Sequence, residues 1–353
     1  MRLLFRTCLG LGAIALGAQL GVAQQLAVVN QPERTLQLLD GPSGTVVMTA
    51  RMGERPHEVE LSPDGRYAYV PIYGDGAVGR PGTDGDAVEV VELATGRIAR
   101  IDTGKVRPHD AKFGPDGRLY VTAEIDRAVL AIDPAAGRVV GRIPTGAPES
   151  HSLALSPDAR HAFTANVSSG SVSVLDVKRR KLVGIVAVGA NVQRVAVSPD
   201  GRRVFTHDQR TPRLVAIDPV RLKVARSYPL PGLGYTSAVT LGGRTALVAG
   251  RPALPGGPTA TPCLYIVDLR SGAVMTIPTP GWPRVIIVAD AASAWLNFGS
   301  GEVARLDLRT KSLTIVASLG RGLDGMALRS APARRGAVLQ KPFLSDGCLC
   351  PQS

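Results

Sequence analysis

Three of the five histidines in the chain occupy the same position before a repeated turn. His57, His109 and His151 each lie six residues before the proline that begins the turn. Neutral imidazoles brought together from three neighbouring strands would supply ligands for zinc or copper and leave one position open for water. Protonated histidines would instead hold an anion. A third interpretation is that histidine was copied with the repeat and only hydrogen-bonds a loop backbone.

The same repeat position is polar or amphipathic along the whole chain. It is Gln193 in the fourth copy, and the best candidates in the weaker copies are Tyr235, Arg284 and Asp324. Together with the three histidines these residues make seven, one for each copy. If the strands that carry them surround a channel, we expect a ring of side chains at one channel mouth. A small molecule, an anion or a protein would bind there.

Glu124 follows the apolar run Tyr120–Ala123 and is expected on the same face as the ring. If it is partly buried near His109, loss of hydration would raise the pKa of its carboxyl group and make it a candidate general base. Glu124 and His109 would then be catalytic, with Arg284 stabilising negative charge. The alternative is an exposed loop glutamate. The sequence contains no nucleophile elbow, phosphate-binding loop, His-Glu-x-x-His or dinucleotide fingerprint.

The ring positions belong to a repeat that is clearest in RPHEVELSPDGRYAYV, residues 55–70. Each copy has an alternating apolar run, a Pro-Asp-Gly turn and a second alternating run, which predicts two strands around a tight turn. Further copies begin at six places: Arg107, Ser150, Val192, Thr236, Arg284 and Asp324. The sequence therefore predicts seven hairpins.

An acidic residue that closes an apolar strand gives the same count independently. It occurs seven times, at Asp40, Glu92, Asp133, Asp176, Asp218, Asp268 and Asp307. Seven units of about 40 to 50 residues predict an all-β, seven-bladed β-propeller with four antiparallel strands per blade. The last unit lacks outer strands, and the N-terminal segment lacks an inner one. We therefore expect the N-terminal strands to complete the C-terminal blade, which removes two open sheet edges.

The N-terminal segment predicts export. Residues 1–23 have two arginines, an apolar stretch and a small-residue cleavage pattern, which together indicate a signal peptide. A retained membrane anchor is the alternative, and no later segment is long and apolar enough to cross a bilayer. We assign residues 24–340 to the propeller and residues 341–353 to a cysteine-containing tail, and we expect a periplasmic, secreted or cell-surface protein.

Three cysteines follow the predicted signal peptide, namely Cys263, Cys348 and Cys350. An odd number in an exported protein leaves at least one thiol unpaired or bonded to another chain. A disulfide between the tail and Cys263, or a clip within the tail, is one interpretation of the Cys-x-Cys pair. A small redox or metal-binding element is the other.

The chain is strongly basic, with a formal net charge of +12. Such a charge favours acidic partners. The arginines are scattered among the predicted turns, however, and no aromatic platform is interleaved with them, so we expect no specific nucleic-acid site. We expect a monomer with a solvated basic surface.

Two connections between strands are longer than the others, at residues 74–86 and 250–262. Both are rich in glycine and proline and are predicted to be loops. Because each joins a second strand to a third, both should overhang the face that carries the ring. Loops of this length are often functional lids.

The repeats resemble those of the YVTN-type β-propellers of exported bacterial and archaeal surface proteins. SPDGRYAYVPIYG, GPDGRLYVTAEID and SPDARHAFTANVSSGSVSVLDV carry the resemblance, which covers nearly all of residues 26–330. RPHDAKFGPDGRLYVTAE is similar to a motif of propeller lactonases, in which Glu124 matches the glutamate and His109 stands where arginine is usual. The resemblance implies the propeller fold. From the ring and the two long loops we expect a binding or scaffold module; the alternatives are a lactonase-like hydrolase or isomerase and a metal-binding, redox-associated propeller.

Overall fold

The structure is a computed structural model that describes residues 24–250 and 261–329. Within these ranges the regular elements are 28 β-strands in seven four-stranded antiparallel sheets, and no helix occurs. This confirms the predicted seven-bladed propeller. No helix in the described part of the chain could span a membrane.

The strands follow one another in chain order through the blades. The chain begins with β1 (Gln25–Asn30), β2 (Thr35–Asp40) and β3 (Val46–Arg51). Blade 1 contains β4 (Glu60–Leu61), β5 (Tyr67–Gly74), β6 (Asp84–Glu92) and β7 (Ile98–Asp102). Blade 2 contains β8 (Pro108–Phe113), β9 (Leu119–Ala123), β10 (Ala128–Asp133) and β11 (Arg138–Pro144). Blade 3 contains β12 (Ser150–Leu155), β13 (His161–Asn166), β14 (Ser171–Asp176) and β15 (Lys181–Ala187).

The second half of the chain repeats this order. Blade 4 contains β16 (Val195–Val197), β17 (Val204–Asp208), β18 (Arg213–Asp218) and β19 (Lys223–Pro229). Blade 5 contains β20 (Gly234–Val239), β21 (Thr245–Gly250), β22 (Cys263–Asp268) and β23 (Val274–Pro278). Blade 6 contains β24 (Pro283–Val288), β25 (Ser293–Phe298), β26 (Glu302–Asp307) and β27 (Leu313–Ser318). Blade 7 joins β28 (Leu323–Arg329) to β1, β2 and β3.

The ring closes as predicted. Strand β28 pairs antiparallel with β1, with Ala27 opposite Ala327 and Gln25 opposite Arg329. The first strand of each blade also contacts the first strand of the next, and the contact between β28 and β4 completes the circle. The N-terminal strands therefore supply the outer part of blade 7, which leaves no open edge at the junction.

The seven acidic residues found in the sequence end the third strands of the seven blades. The carboxylates of the six aspartates accept hydrogen bonds from backbone N–H groups of the following turn; Asp307, for example, accepts from Thr310 N at 2.7 Å and from Arg309 N at 2.8 Å. Glu92 instead accepts from Thr95 Oγ1 at 2.7 Å. A short side chain that binds its own turn favours a tight reversal after the strand, which explains why aspartate marks this place in six of the seven blades.

The core consists of one apolar cluster between each two neighbouring blades. The cluster between blades 6 and 7, for instance, packs Leu26, Leu39 and Leu323 against Trp295. Because each sheet buries both faces against its neighbours, the blades depend on one another for stability. The first strands consequently hold fixed positions around the channel.

Several predictions fall on residues outside the described ranges. These are the signal peptide at residues 1–23, most of the second long loop at residues 251–260, and the tail at residues 341–353 with Cys348 and Cys350. Cys263 is buried and has no disulfide partner among the described residues. Its predicted bond to the tail stays a prediction, as do the outer limits of the propeller domain.

Candidate functional site

A cavity of about 570 Å³ lies at one mouth of the channel. All seven predicted ring positions line it, one from each blade: His57, His109, His151, Gln193, Tyr235, Arg284 and Asp324. The repeat alignment therefore placed these residues correctly around one space. Their role in ligand binding stays a prediction.

A repeated backbone conformation directs the first strands of blades 1 to 4 toward this cavity. Two residues before the ring position, each chain segment has a left-handed residue with φ between 52° and 55°, namely Arg55, Arg107, Glu149 and Asn191. Such a residue turns the chain sharply. The next two residues lead into the inner strand, so the ring position lies at the same distance from this turn in each of the four blades.

The charged groups that line the cavity are three arginines and one aspartate. The guanidinium groups belong to Arg55, Arg194 and Arg284, and the carboxylate belongs to Asp324. Arg284 keeps 37% of its side chain exposed, although it donates a hydrogen bond of 3.2 Å from Nη2 to Asp324 Oδ1. The lining therefore has more positive than negative groups. Because Glu58 pairs with Arg194 from outside the lining, Arg55 and the exposed part of Arg284 are the positive groups available to an anionic ligand.

Asp324 connects several ring residues through its two carboxylate oxygens. Besides Arg284, it lies 3.0 Å from His57 Nδ1, and the side-chain amide of Gln31 donates to His57 Nε2 at 2.8 Å. Because Nε2 accepts this hydrogen bond, the ring proton of a neutral His57 is on Nδ1, which lies near Asp324 without a well-directed hydrogen bond to it. Burial opposes ionisation of Asp324, but Arg284, His57 and Arg194 outweigh it and lower the pKa of its carboxyl group.

Arg194 crosses the channel and was not identified from the sequence. Its Nη1 donates to Glu58 Oε1 of blade 1, and its Nη2 donates to Tyr235 Oη at 3.2 Å. Burial disfavours the charge on Arg194, but Glu58, Tyr235 and Asp324 outweigh this and raise its pKa. Tyr235 is held between two guanidinium groups, with Arg194 at 5.3 Å and Arg284 at 5.1 Å from its ring centre. The floor of the cavity is thus fixed by buried charges and hydrogen bonds.

The three ring histidines stack side by side. The ring centres of His57 and His109 are 4.7 Å apart, and those of His109 and His151 are 3.5 Å apart. Neither nitrogen of His109 has a well-directed hydrogen-bond partner within the described residues. Burial, followed by electrostatic interaction with His151, His57 and Arg194, lowers the pKa of His109 well below 6.5. His109 is therefore neutral, with a lone pair available to a ligand.

Glu124 is buried, with 3% of its surface exposed. It lies near His109, as the sequence suggested, with ligand atoms of the two residues within 4.8 Å. It also forms a hydrogen bond with His151 of the next blade, because strand β9 packs against β12 and Thr122 Oγ1 donates to His151 O at 2.9 Å. The ring nitrogen Nδ1 of His151 donates to Glu124 Oε1, since a carboxylate only accepts. A residue that ends a second strand thus meets the first strand of the following blade.

Tyr73 completes this group and was also not identified from the sequence. Its hydroxyl donates to Glu124 Oε2 at 2.6 Å. The registers Pro56–Ile72 and Pro108–Ala123 show that Tyr73 occupies in blade 1 the position of Glu124 in blade 2. Burial first, and then the charge of Glu124, raise the pKa of the Tyr73 phenol, which therefore stays protonated. The repeat alignment contained the signal for this residue.

The first long loop overhangs the cavity, as its position between second and third strands predicts. Gly76, Ala77 and Val78 of this loop line the cavity wall. Arg107 anchors the loop through Asp84, at 2.7 Å, and through the carbonyl oxygen of Ala77. The loop is therefore tied to blade 2, next to the histidines.

Three side chains are arranged so that together they could hold a metal ion. His109, Glu124 and His151 each offer a ligand atom within 4.8 Å of the other two. The predicted trio contained His57 in place of Glu124. The Nε2 atom of His57 accepts a hydrogen bond from Gln31, and its Nδ1 atom lies 3.0 Å from Asp324. The assignment of His57 as a metal ligand stays a prediction.

The fold is shared with solved structures of low sequence identity. Hydrazine synthase of Kuenenia stuttgartiensis is 20% identical, with 72% of this chain and 76% of that chain covered and a TM-score of 0.58. A functionally unknown protein from Desulfotomaculum acetoxidans is 12% identical, with coverage of 86% and 98% and a TM-score of 0.67. A putative 6-phosphogluconolactonase from Bacteroides uniformis is 12% identical, with coverage of 87% and 100% and a TM-score of 0.68.

These likenesses support the propeller fold alone, because identities this low carry no information about the site. No family model matches the chain. No curated protein matches it either. The comparisons therefore do not indicate which ligand or reaction the channel mouth serves.

Proposed function

We propose that this protein is a binding module that holds a small anionic molecule in the cavity at the channel mouth. The observation that carries the proposal is the charge of the lining, in which three guanidinium groups face one carboxylate in a cavity of about 570 Å³. A volume of this size is typical of small-molecule sites. Arginine is suited to carboxylate and oxyanion ligands because its planar guanidinium donates two parallel hydrogen bonds.

The arrangement of the ring also favours binding over a purely structural role. Asp324 and Glu58 hold Arg284 and Arg194 in place before any ligand arrives. Preorganised donors lose little conformational entropy when a ligand binds. The exposed part of Arg284 is then free to donate to an anion.

The test is calorimetric titration of the protein with acetate, succinate, citrate, gluconate, sulfate and phosphate. We expect at least one anion to bind the wild type and to bind Arg284→Gln at least about tenfold more weakly, since a hydrogen bond to a charged group contributes about 1.5–3 kcal/mol. Arg202→Gln removes the same charge from a side chain that is 83% exposed, and should not change binding. Equal affinities in the two variants, or no binding by the wild type, would refute the proposal.

A lactonase-like hydrolase is the second candidate, and the buried group of Tyr73, Glu124 and His151 favours it. A carboxylate held by a tyrosine and a histidine beside the cavity resembles the arrangement of a general base. One solved neighbour carries the name of a putative 6-phosphogluconolactonase. Hydrolysis of glucono-δ-lactone that disappears in Glu124→Gln would support this candidate, whereas anion binding without turnover would support the binding module.

We further propose that the protein is exported, acts as a monomer and belongs with the YVTN-type repeat proteins. The arginines and apolar stretch of residues 1–23 support export. Expression in a Gram-negative host followed by N-terminal sequencing of the periplasmic product tests it. A mature N-terminus at Gln24 is expected, and an uncleaved cytoplasmic product would contradict it.

A further inference from the structure

The wall of the mouth cavity contains a trio of side chains with the composition of a metal site. His109, Glu124 and His151 are 1%, 3% and 4% exposed, and their ligand atoms lie within 4.8 Å of one another. Buried ionisable groups are usually paired or bound to a metal. Glu124 and His151 are paired with each other, whereas His109 beside them has no well-directed hydrogen bond within the described residues. We propose that they bind one divalent transition metal ion, with Zn²⁺ the best match.

The unsatisfied nitrogens of His109 are the first support. A buried polar atom without a hydrogen bond costs about 1–3 kcal/mol. Within the described residues His109 has two such atoms, Nδ1 and Nε2. A metal ion would bind to one of these nitrogens. Metal binding would therefore explain why an imidazole without hydrogen bonds is buried at this position.

The support around Glu124 is the second. Tyr73 donates to Glu124 Oε2 at 2.6 Å, and His151 Nδ1 donates to Glu124 Oε1. A metal ion bound between Glu124 and His151 would replace that shared proton, which is released to solvent. Residues that orient a metal-ligating carboxylate in this way are a regular feature of metal sites. His57 does not belong to this group of mutually close ligand atoms, and its Nε2 accepts a hydrogen bond from Gln31.

The ligand types select the class of metal. Two imidazoles and one carboxylate match the ligand sets of three-ligand zinc sites, which leave a further position for water or substrate. Calcium and magnesium prefer oxygen ligands alone, and copper(I) prefers sulfur. The open position would face the mouth cavity, because His109 and His151 also line that cavity.

A path to the trio exists from two sides. His109 and His151 are reached from the mouth cavity, whereas Glu124 lines a separate depression of about 380 Å³ on the rim, beside Arg107 and Glu149. The metal site does not depend on the proposed anion site. Zinc binding that is lost in Glu124→Gln and retained in Arg284→Gln would show that the metal site is separate from the anion site.

The test is equilibrium dialysis of the full chain, expressed without an affinity tag, stripped with EDTA and equilibrated with Zn²⁺. Cys348→Ser and Cys350→Ser are introduced in all samples so that tail thiolates do not contribute zinc. We expect one zinc per chain. His109→Gln and Glu124→Gln should weaken binding at least about a hundredfold, and Tyr73→Phe by about ten- to a hundredfold, as the loss of an orienting group does.

A matched histidine variant serves as a control. His161→Gln should retain zinc affinity within about twofold of the parent, because His161 belongs neither to the trio nor to the cavity lining. His57→Gln should keep one zinc per chain, because His57 is not a ligand of the trio. Tyr73→Phe keeps the ring packing and therefore tests the site even if the His109 variant does not fold. Substoichiometric zinc in the parent, or zinc lost in His57→Gln and kept in Glu124→Gln, would overturn the assignment. Visible absorption of bound Co²⁺ that disappears in Glu124→Gln would support it independently.

Discussion

The buried ion pair between Arg194 and Glu58 should be the strongest single interaction across the channel. The two side chains are 8% and 9% exposed and belong to blades 4 and 1, so the pair connects elements 136 residues apart. We expect Arg194→Met to lower the free energy of unfolding by about 3–5 kcal/mol, because it leaves the Glu58 carboxylate buried without its partner. Glu58→Gln should cost a similar amount, since it leaves the guanidinium uncompensated.

The double variant Arg194→Met/Glu58→Gln separates this cause from lost packing. With both charges removed, no unpaired ion stays buried, and replacement of a buried pair by neutral groups is often close to neutral. We therefore expect the double variant to be no less stable than either single variant. The corresponding interaction energy in the double-mutant cycle should be about 3 kcal/mol.

Urea unfolding followed by the fluorescence of Trp295, which is 1% exposed, is a suitable assay. Arg160→Met provides a control, because Arg160 is 82% exposed in its contact with Asp158 and should not shift the unfolding midpoint. Costs that add in the double variant, or single-variant costs below about 1 kcal/mol, would refute the reasoning.

Three further predictions concern stability. Burial lowers the pKa of His207 to about 3 from 6.5, so the folded state should lose stability as the pH falls from 6.5 toward 3, and His207→Leu should reduce that slope in urea unfolding by about 1.4 kcal/mol per pH unit; an unchanged slope would contradict the burial argument. Gly170→Ala should destabilise far more than Gly243→Ala in thermal unfolding, because both have positive φ but only at Gly170 would the added Cβ lie 1.9 Å from a backbone oxygen, that of Gly189; equal costs would show that the backbone moves aside. Leu26→Ala should cost about 2–5 kcal/mol, since Leu26 is fully buried between blades 6 and 7, and a cost near zero would argue against closure of the ring by the N-terminal strands.

The fold was predictable from the sequence because its signals are local and repeated. The turn after each first strand and the acidic residue at the end of each third strand recur at similar spacings along the chain. Their count therefore indicated the number of blades. The incomplete last copy, together with the unpaired strands near Leu26, then indicated how the ring closes. Each of these inferences needed only the spacing of residues within about 50 positions.

The ring was predictable for the same reason, but its internal contacts were not. Asp324 contacts Gln31 across 293 residues, and Arg194 contacts Glu58 across 136. Which residues meet across a channel depends on the angle between blades, which no local pattern contains. The sequence related Glu124 only to His109 of its own blade, whereas packing of β9 on the next blade also places it against His151.

The most direct test of the anion site is a crystal structure of the protein soaked with selenate, located by its anomalous scattering. Selenate carries the tetrahedral oxygen arrangement that guanidinium groups bind. The proposal predicts an anomalous peak inside the mouth cavity, within hydrogen-bonding distance of Arg284, that is absent from crystals of Arg284→Gln. Peaks confined to exposed arginines of the outer strands, with water alone in the cavity, would contradict the assignment of this mouth as an anion-binding site.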